Sequence, residues 1–143
     1  MYFTPRGKDE REQKILDFST SQKFLELAVS GKAIDDFFHH FDIKRIAIAP
    51  YNHFGKCLVR LLQGTEVEAV CFIDKMYYKY NENDYFGIPI ESYETGSCKA
   101  VDAVIVTSNF YYNDIVDTLI GNGVSLEKII GINSILFGLE RLE

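Results

Sequence analysis

A chain of 143 residues with a net charge of -6 has room for one hydrophobic core, but not for a catalytic domain joined to a full cofactor domain. The acidic balance argues against a nucleic-acid partner, which is held by clustered Lys and Arg. Apolar runs such as Val101 to Val106 fall far short of the roughly 20 residues that span a bilayer, and the charged N-terminus is not signal-like, so a cytoplasmic protein without membrane insertion is expected. Cys57, Cys71 and Cys98 form no CxxC pair and read as reduced structural thiols, with Cys98, in a polar loop, the one to test for reactivity. Nine Tyr and eleven Phe without any Trp must fill a core or line an interface.

In chain order, Met1 to Arg11 mix charge with Pro5 and Gly7 and read as a loose arm. Two or three helices are predicted between Gln13 and Phe41. Ser19-Thr20-Ser21 offer capping hydroxyls ahead of Phe24, Leu25, Leu27 and Ala28, and Gly31 closes that helix. Ile34, Phe37, Phe38 and Phe41 then form an apolar helical stripe. Residues 1–43 are thus an arm and helical prefix packing on the domain formed by 44–143.

From Lys44 the pattern changes to strands alternating with helices. Ile46 to Ala49 is a buried strand, Cys57 to Leu62 a helix, and Val67 to Ile73 a second strand ending on Asp74. A tyrosine-rich connection, Lys75 to Phe86, leads to Ile88-Pro89-Ile90, which its proline marks as an edge strand. Ala103 to Val106 is a fourth strand, Asn109 to Ile120 a helix, Gly121-Asn122-Gly123 a turn, and Lys128 to Ile132 the last strand. Continuous apolar strands joined by crossovers predict an α/β fold, a Rossmann-like parallel sheet of about five strands in the order 3-2-1-4-5.

The turn Pro50-Tyr51-Asn52-His53-Phe54-Gly55 occupies the place of a phosphate-binding GxGxxG loop, in which glycines make the turn, admit the pyrophosphate and let helix pack on strand. Only the packing glycine, Gly55, is kept. Pro50 fixes φ near about -65° and removes a donor, and Asn52 adds a side chain where phosphate oxygens would lie. The helix N-terminus still offers free backbone N–H groups, with His53 and Lys56 as added positive charge. Either this is an altered phosphate site built from Tyr51, Asn52, His53, Phe54 and Gly55, or it is a turn that merely connects strand to helix. Asp74, 19 residues after Gly55, stands where a ribose-binding acid belongs, and is also an ordinary strand-ending turn residue. Ser108 and Asn109 face the same crevice from the fourth strand, as sugar-binding groups or as caps of the next helix.

The remaining groups are less informative. Adjacent His39 and His40 point about 100° apart on a helix and cannot chelate one metal. No nucleophile with a base at a diagnostic spacing is present, and Tyr78-Lys79 are adjacent rather than spaced as TyrxxxLys. Met76 to Tyr80 and Tyr85-Phe86 are aromatic enough for an interface or sugar stacking, and equally suited to folding back as a lid over the second strand.

Lys44 to Ile48 with Phe54-Gly55-Lys56, then Val70 to Asp74, Gly87 to Ile90, Asp102 to Ser108 and Glu127 to Ile130, together resemble one small module. It is similar to the Rossmann-like NAD(P)- or nucleotide-sugar-binding domain attached to bacterial polysaccharide-biosynthesis proteins, among them sugar-nucleotide epimerases and dehydratases, sugar acyltransferases and glycosyltransferases. The resemblance covers roughly Lys44 to Ile132 and departs from the family's GAGxxG-type turn at Pro50 to Gly55, while Asp74 transfers. It implies a non-catalytic domain that binds a nucleotide, NAD(P) or a nucleotide sugar weakly in cell-surface glycan metabolism, beside a glycan-biosynthesis enzyme. Two alternatives stand: a vestigial site in a module that forms homodimers through the aromatic loop or helical prefix, and a fragment of a nucleotide-sugar-modifying enzyme.

Overall fold

Strands that are apolar at every position have to be covered on both faces, and three such runs seed the sheet. In the computed structural model, which describes residues 10–30 and 33–141, β1 (Arg45–Ala49) is central. It pairs in parallel with β2 (Glu68–Ile73) on one side and with β5 (Ala103–Val106) on the other. β4 (Ile88–Glu91) adds in parallel beyond β2, and β6 (Ile129–Gly131) in parallel beyond β5. A short β3 (Asp84–Tyr85) pairs antiparallel with β4, giving the order β3-β4-β2-β1-β5-β6.

The fold is therefore α/β with a mostly parallel six-stranded sheet, and it differs from the predicted one in strand count and order. The difference is a hairpin. Phe86 and Gly87 both take positive φ (53° and 79°), the geometry that joins two antiparallel strands through two residues, and Asp84 Oδ2 accepts the Gly87 N–H at 2.8 Å. Pro89, predicted on the edge, lies opposite Asp84, so the edge is β3.

Alternation along β1 divides the core. Ile46 and Ile48 face α1 (Glu10–Ser30), α2 (Asp35–His40), α3 (His53–Leu62) and α5 (Ile132–Arg141), with Phe38, Leu58, Phe72, Ile105 and Ile135. Ala47 and Ala49 face α4 (Tyr112–Gly121) and the connection from β4 to β5, with Ile73, Tyr93, Cys98 and Leu119. At the amino end of the sheet the Asp102 carboxylate accepts the backbone N–H groups of Lys44 and Arg45 at 2.9 and 3.0 Å, which holds its carboxyl below the usual carboxylate range.

The prefix departs from expectation. α1 runs unbroken through Ser19 to Ser21, and Thr20, instead of capping, donates its hydroxyl to Leu16 O at 3.0 Å. Apolar residues on both sides of the hydroxyl run carry the helix through it. Glu10 and Arg11 already belong to α1, and the rest of the predicted arm and the closing Gly31 lie outside the described residues. Ile34, Phe37 and Phe38 are buried, whereas Phe41, past the end of α2, is exposed. α4 begins at Tyr112 rather than Asn109. Ile132, read as strand, opens α5, whose Ile132, Ile135, Leu136 and Leu139 are buried at a helical period. Among the described residues no helix is long and apolar enough to cross a membrane.

Candidate functional site

In a doubly wound sheet the loops leaving the two central strands part at the point where the strand order reverses, and the crevice between them is the usual ligand site. Here it lies between β1 and β5. Asn52, in extended conformation at the N-cap of α3, accepts the Gly55 N–H on Oδ1 at 2.8 Å, so one donor of the helix N-terminus is used. The same oxygen accepts the Thr107 hydroxyl at 3.0 Å, and Asn52 Nδ2 donates to Thr107 O at 3.3 Å. These bonds lace the two loops together.

α1 crosses the same loops. Asn109 Nδ2 donates to Thr20 Oγ1 at 2.7 Å, and the Phe54 ring stacks on Phe24 with centroids 6.0 Å apart. Ser108 is buried, and its Oγ accepts the Tyr111 N–H at 3.1 Å, bracing the turn into α4. Gly55 has the packing role predicted from its position: a Cβ there would lie 3.0 Å from Ile48 Cγ2 and 3.1 Å from Phe72 Cε1.

Asp74 is buried. Its Oδ2 accepts the Tyr51 N–H at 3.1 Å and the Tyr80 hydroxyl at 2.8 Å, and its Oδ1 accepts the Met76 N–H at 2.8 Å. Burial and the neighbouring carboxylate push the Tyr80 phenol up to about 12. The Tyr51 ring packs against Phe72 and Tyr80, its hydroxyl donates to Glu82 Oε1 at 2.6 Å, and Lys56 Nζ sits 4.6 Å from its centroid. Burial, then Glu82, raises the Tyr51 phenol. The aromatic connection is split: Tyr80 and Tyr85 fold back on the core, while Tyr77, Tyr78 and Phe86 are exposed.

The structure thus gathers Tyr51, Asn52, Gly55, Asp74, Ser108 and Asn109 around one strand end, with Asn52, Asp74 and Asn109 already engaged by the chain. His53 is exposed, its Nε2 3.6 Å from Cys57 Sγ, and burial raises the Cys57 thiol rather than activating it. Cys98 is fully buried, with its thiol also raised, which removes it as an accessible reactive thiol, and burial pushes Cys71 up to about 12. Among the described residues no three His, Cys, Asp or Glu stand where they could hold a metal ion.

A second concavity opens beside the crevice, on the α4 side. It has a volume of about 390 Å³, with walls from Pro50, Met76, Tyr93, Tyr111 and Ile115 and polar groups from Asp74, Lys75, Asp114 and Thr118. It opens beside the crossover from β4 to β5, which contains only a 3₁₀ turn, Ser97–Lys99, where parallel crossovers usually carry a full helix, and which supplies Tyr93 to the wall. Tyr93 was not among the predicted site residues. The missing helical period between 92 and 102 was the signal for a crossover without a full helix. Compared with protein-family models, curated proteins and solved structures, the chain matches none of them.

Proposed function

We propose that the protein is a non-catalytic binding module that takes the nucleoside or sugar end of a nucleotide or nucleotide sugar in the pocket between β2 and α4, without a pyrophosphate grip in the loop after β1. The observation that carries this reading is the pocket itself, open at the carboxyl ends of the strands and flanked by Tyr93 and Tyr111. Its 390 Å³ sits at the small end of ligand pockets, room for one ring system rather than a dinucleotide. Tyrosine rings suit the face of a base or sugar, the Asp114 carboxylate and the Thr118 oxygen, whose own proton goes to Asp114 O at 2.8 Å, can accept from hydroxyls, and Lys75 brings positive charge to the rim. The resemblance to domains of bacterial polysaccharide-biosynthesis proteins gives cell-surface glycan metabolism as the setting and an enzyme of that metabolism as a partner.

Backbone-amide NMR titration with UMP, UDP-glucose and NAD tests it. Shifts confined to Met76, Tyr111 and Thr118, saturating at roughly millimolar ligand, with NAD no better than UMP, are expected. No shift with any of the three at about ten times that concentration overturns the reading. A second reading, self-association, is favoured by the large apolar side chains that α1 leaves exposed, Ile15, Phe18, Leu25 and Val29.

A further inference from the structure

We propose that α1 pairs with α1 of a second copy, antiparallel and about a two-fold axis at the level of Thr20. This rests on the self-association reading above and names its surface. α1 has two faces. The inner one, through Thr20, Phe24 and Leu27, packs on the domain. About 200° round the helix from Thr20 and Leu27 runs a second stripe, Ile15, Phe18, Gln22, Leu25 and Val29, exposed along its whole length, with its apolar members 60%, 64%, 65% and 78% accessible.

The spacing 3, 4, 3, 4 is that of a coiled-coil seam, which an ordinary surface helix has no reason to carry on its solvent side. The four apolar side chains expose roughly 450 Å² per copy, within the range of functional patches. Complete burial on both copies would remove roughly 900 Å², so flanking side chains have to join the seam for it to reach the ~1,000 Å² that a specific interface needs.

A second copy fits this seam better than an unrelated chain because the stripe, with Arg11 at its head, is spaced 4, 3, 4, 3, 4 and reads the same in both directions about the level of Thr20. A two-fold axis at that level sets Ile15 opposite Leu25 of the second copy and Phe18 opposite Gln22. Orientation follows from Arg11, the exposed residue that continues the seam toward the N-terminus. A parallel pair would put Arg11 against Arg11, and an antiparallel pair separates them.

Sedimentation equilibrium of the full chain, with the Leu25→Glu and Phe18→Glu variants, is the test. A dimer at tens of micromolar that each substitution converts to monomer, with unchanged far-ultraviolet dichroism, is expected. A monomeric wild type would overturn both the pairing and self-association itself; a dimer indifferent to both substitutions would overturn the α1 seam and leave self-association standing through another surface. In a Cys57→Ser background, an equimolar mixture of Ile15→Cys and Leu25→Cys chains should oxidise to the mixed disulfide-linked dimer. Oxidation to the two like-with-like dimers alone would overturn the antiparallel arrangement.

Discussion

The crevice between β1 and β5 and the pocket beside it open at the same strand ends, yet the chain has treated them in opposite ways. In the crevice every side chain suited to a ligand has an internal partner: Asn52 holds Gly55 and Thr107, Asp74 holds Tyr51, Met76 and Tyr80, and Asn109 holds Thr20. The pocket shares Asp74 with the crevice and has Thr118 turned to Asp114 O at 2.8 Å, but its walls surround open volume. Groups that bind ligands in one chain can serve as internal staples in another, because a buried carboxylate or amide needs partners and does not distinguish a ribose hydroxyl from a tyrosine.

Asp74→Ala is the severest way to break this contrast. It strands three donors in a buried site, and with charge-assisted bonds lost the cost should be about 4 kcal/mol, a large part of a typical domain's stability. Urea unfolding measures it. A loss below about 1 kcal/mol together with weakened UMP binding would mean that Asp74 belongs to the ligand and not to the fold.

Asn52→Ala should come next. The helix cap is worth about 1 kcal/mol, and leaving Thr107 without its Asn52 partner adds about 1 to 2 kcal/mol, so a loss of roughly 2 to 3 kcal/mol is expected in thermal or urea unfolding. If opening the lacing instead creates measurable NAD binding at little cost in stability, the crevice is a suppressed site rather than a filled one.

The strands, the place of Gly55 in the first turn of α3 and that of Asp74 just after β2 were legible because continuous apolar runs and turn residues are local signals. What escaped was decided by partners distant in sequence. Nothing near Asn109 announces that Thr20 lies against it, 89 residues away, and nothing near Asp74 shows that the backbone N–H of Tyr51, 23 residues before it, will be held by its carboxylate. The hydroxyls of Ser19 to Ser21 misled because a helix tolerates them in its interior when tertiary packing holds it. The pocket was hidden for a different reason: it opens beside a crossover after β4 that lacks a full helix, and a missing helix leaves only a weak trace in composition.

Gly55→Ala sharpens the comparison from the packing side. The new methyl would press on Ile48 and Phe72 at 3.0 and 3.1 Å, an overpacking cost of about 2 kcal/mol offset in part by the better helix propensity of Ala. A net loss of about 1 to 2 kcal/mol is expected in urea unfolding, with UMP shifts in the pocket preserved. Loss of those shifts without loss of stability would place the ligand against α3 rather than α4.

Tyr80→Phe has the smallest effect and reads the Asp74 staple most directly. It removes one buried bond to the carboxylate, worth about 1 kcal/mol at neutral pH, and the sign of its pH dependence is fixed. The folded-state phenol is raised to about 12 from an ordinary 10, so the protonated form is what the fold favours. Its contribution is whole below pH 10 and is lost as pH rises from about 10 to about 12. Tyr93, also raised by burial and not by Tyr80, titrates in both proteins and cancels in the difference, and Tyr51, for which Tyr80 is the smallest of the causes that raise it, cancels for the most part. The stability gap between wild type and Tyr80→Phe should therefore narrow through that alkaline window and stay constant between pH 6 and about 9. A gap that is flat across the whole range would mean that Tyr80 packs on Tyr51 through its ring alone and that Asp74 is held by the two backbone amides.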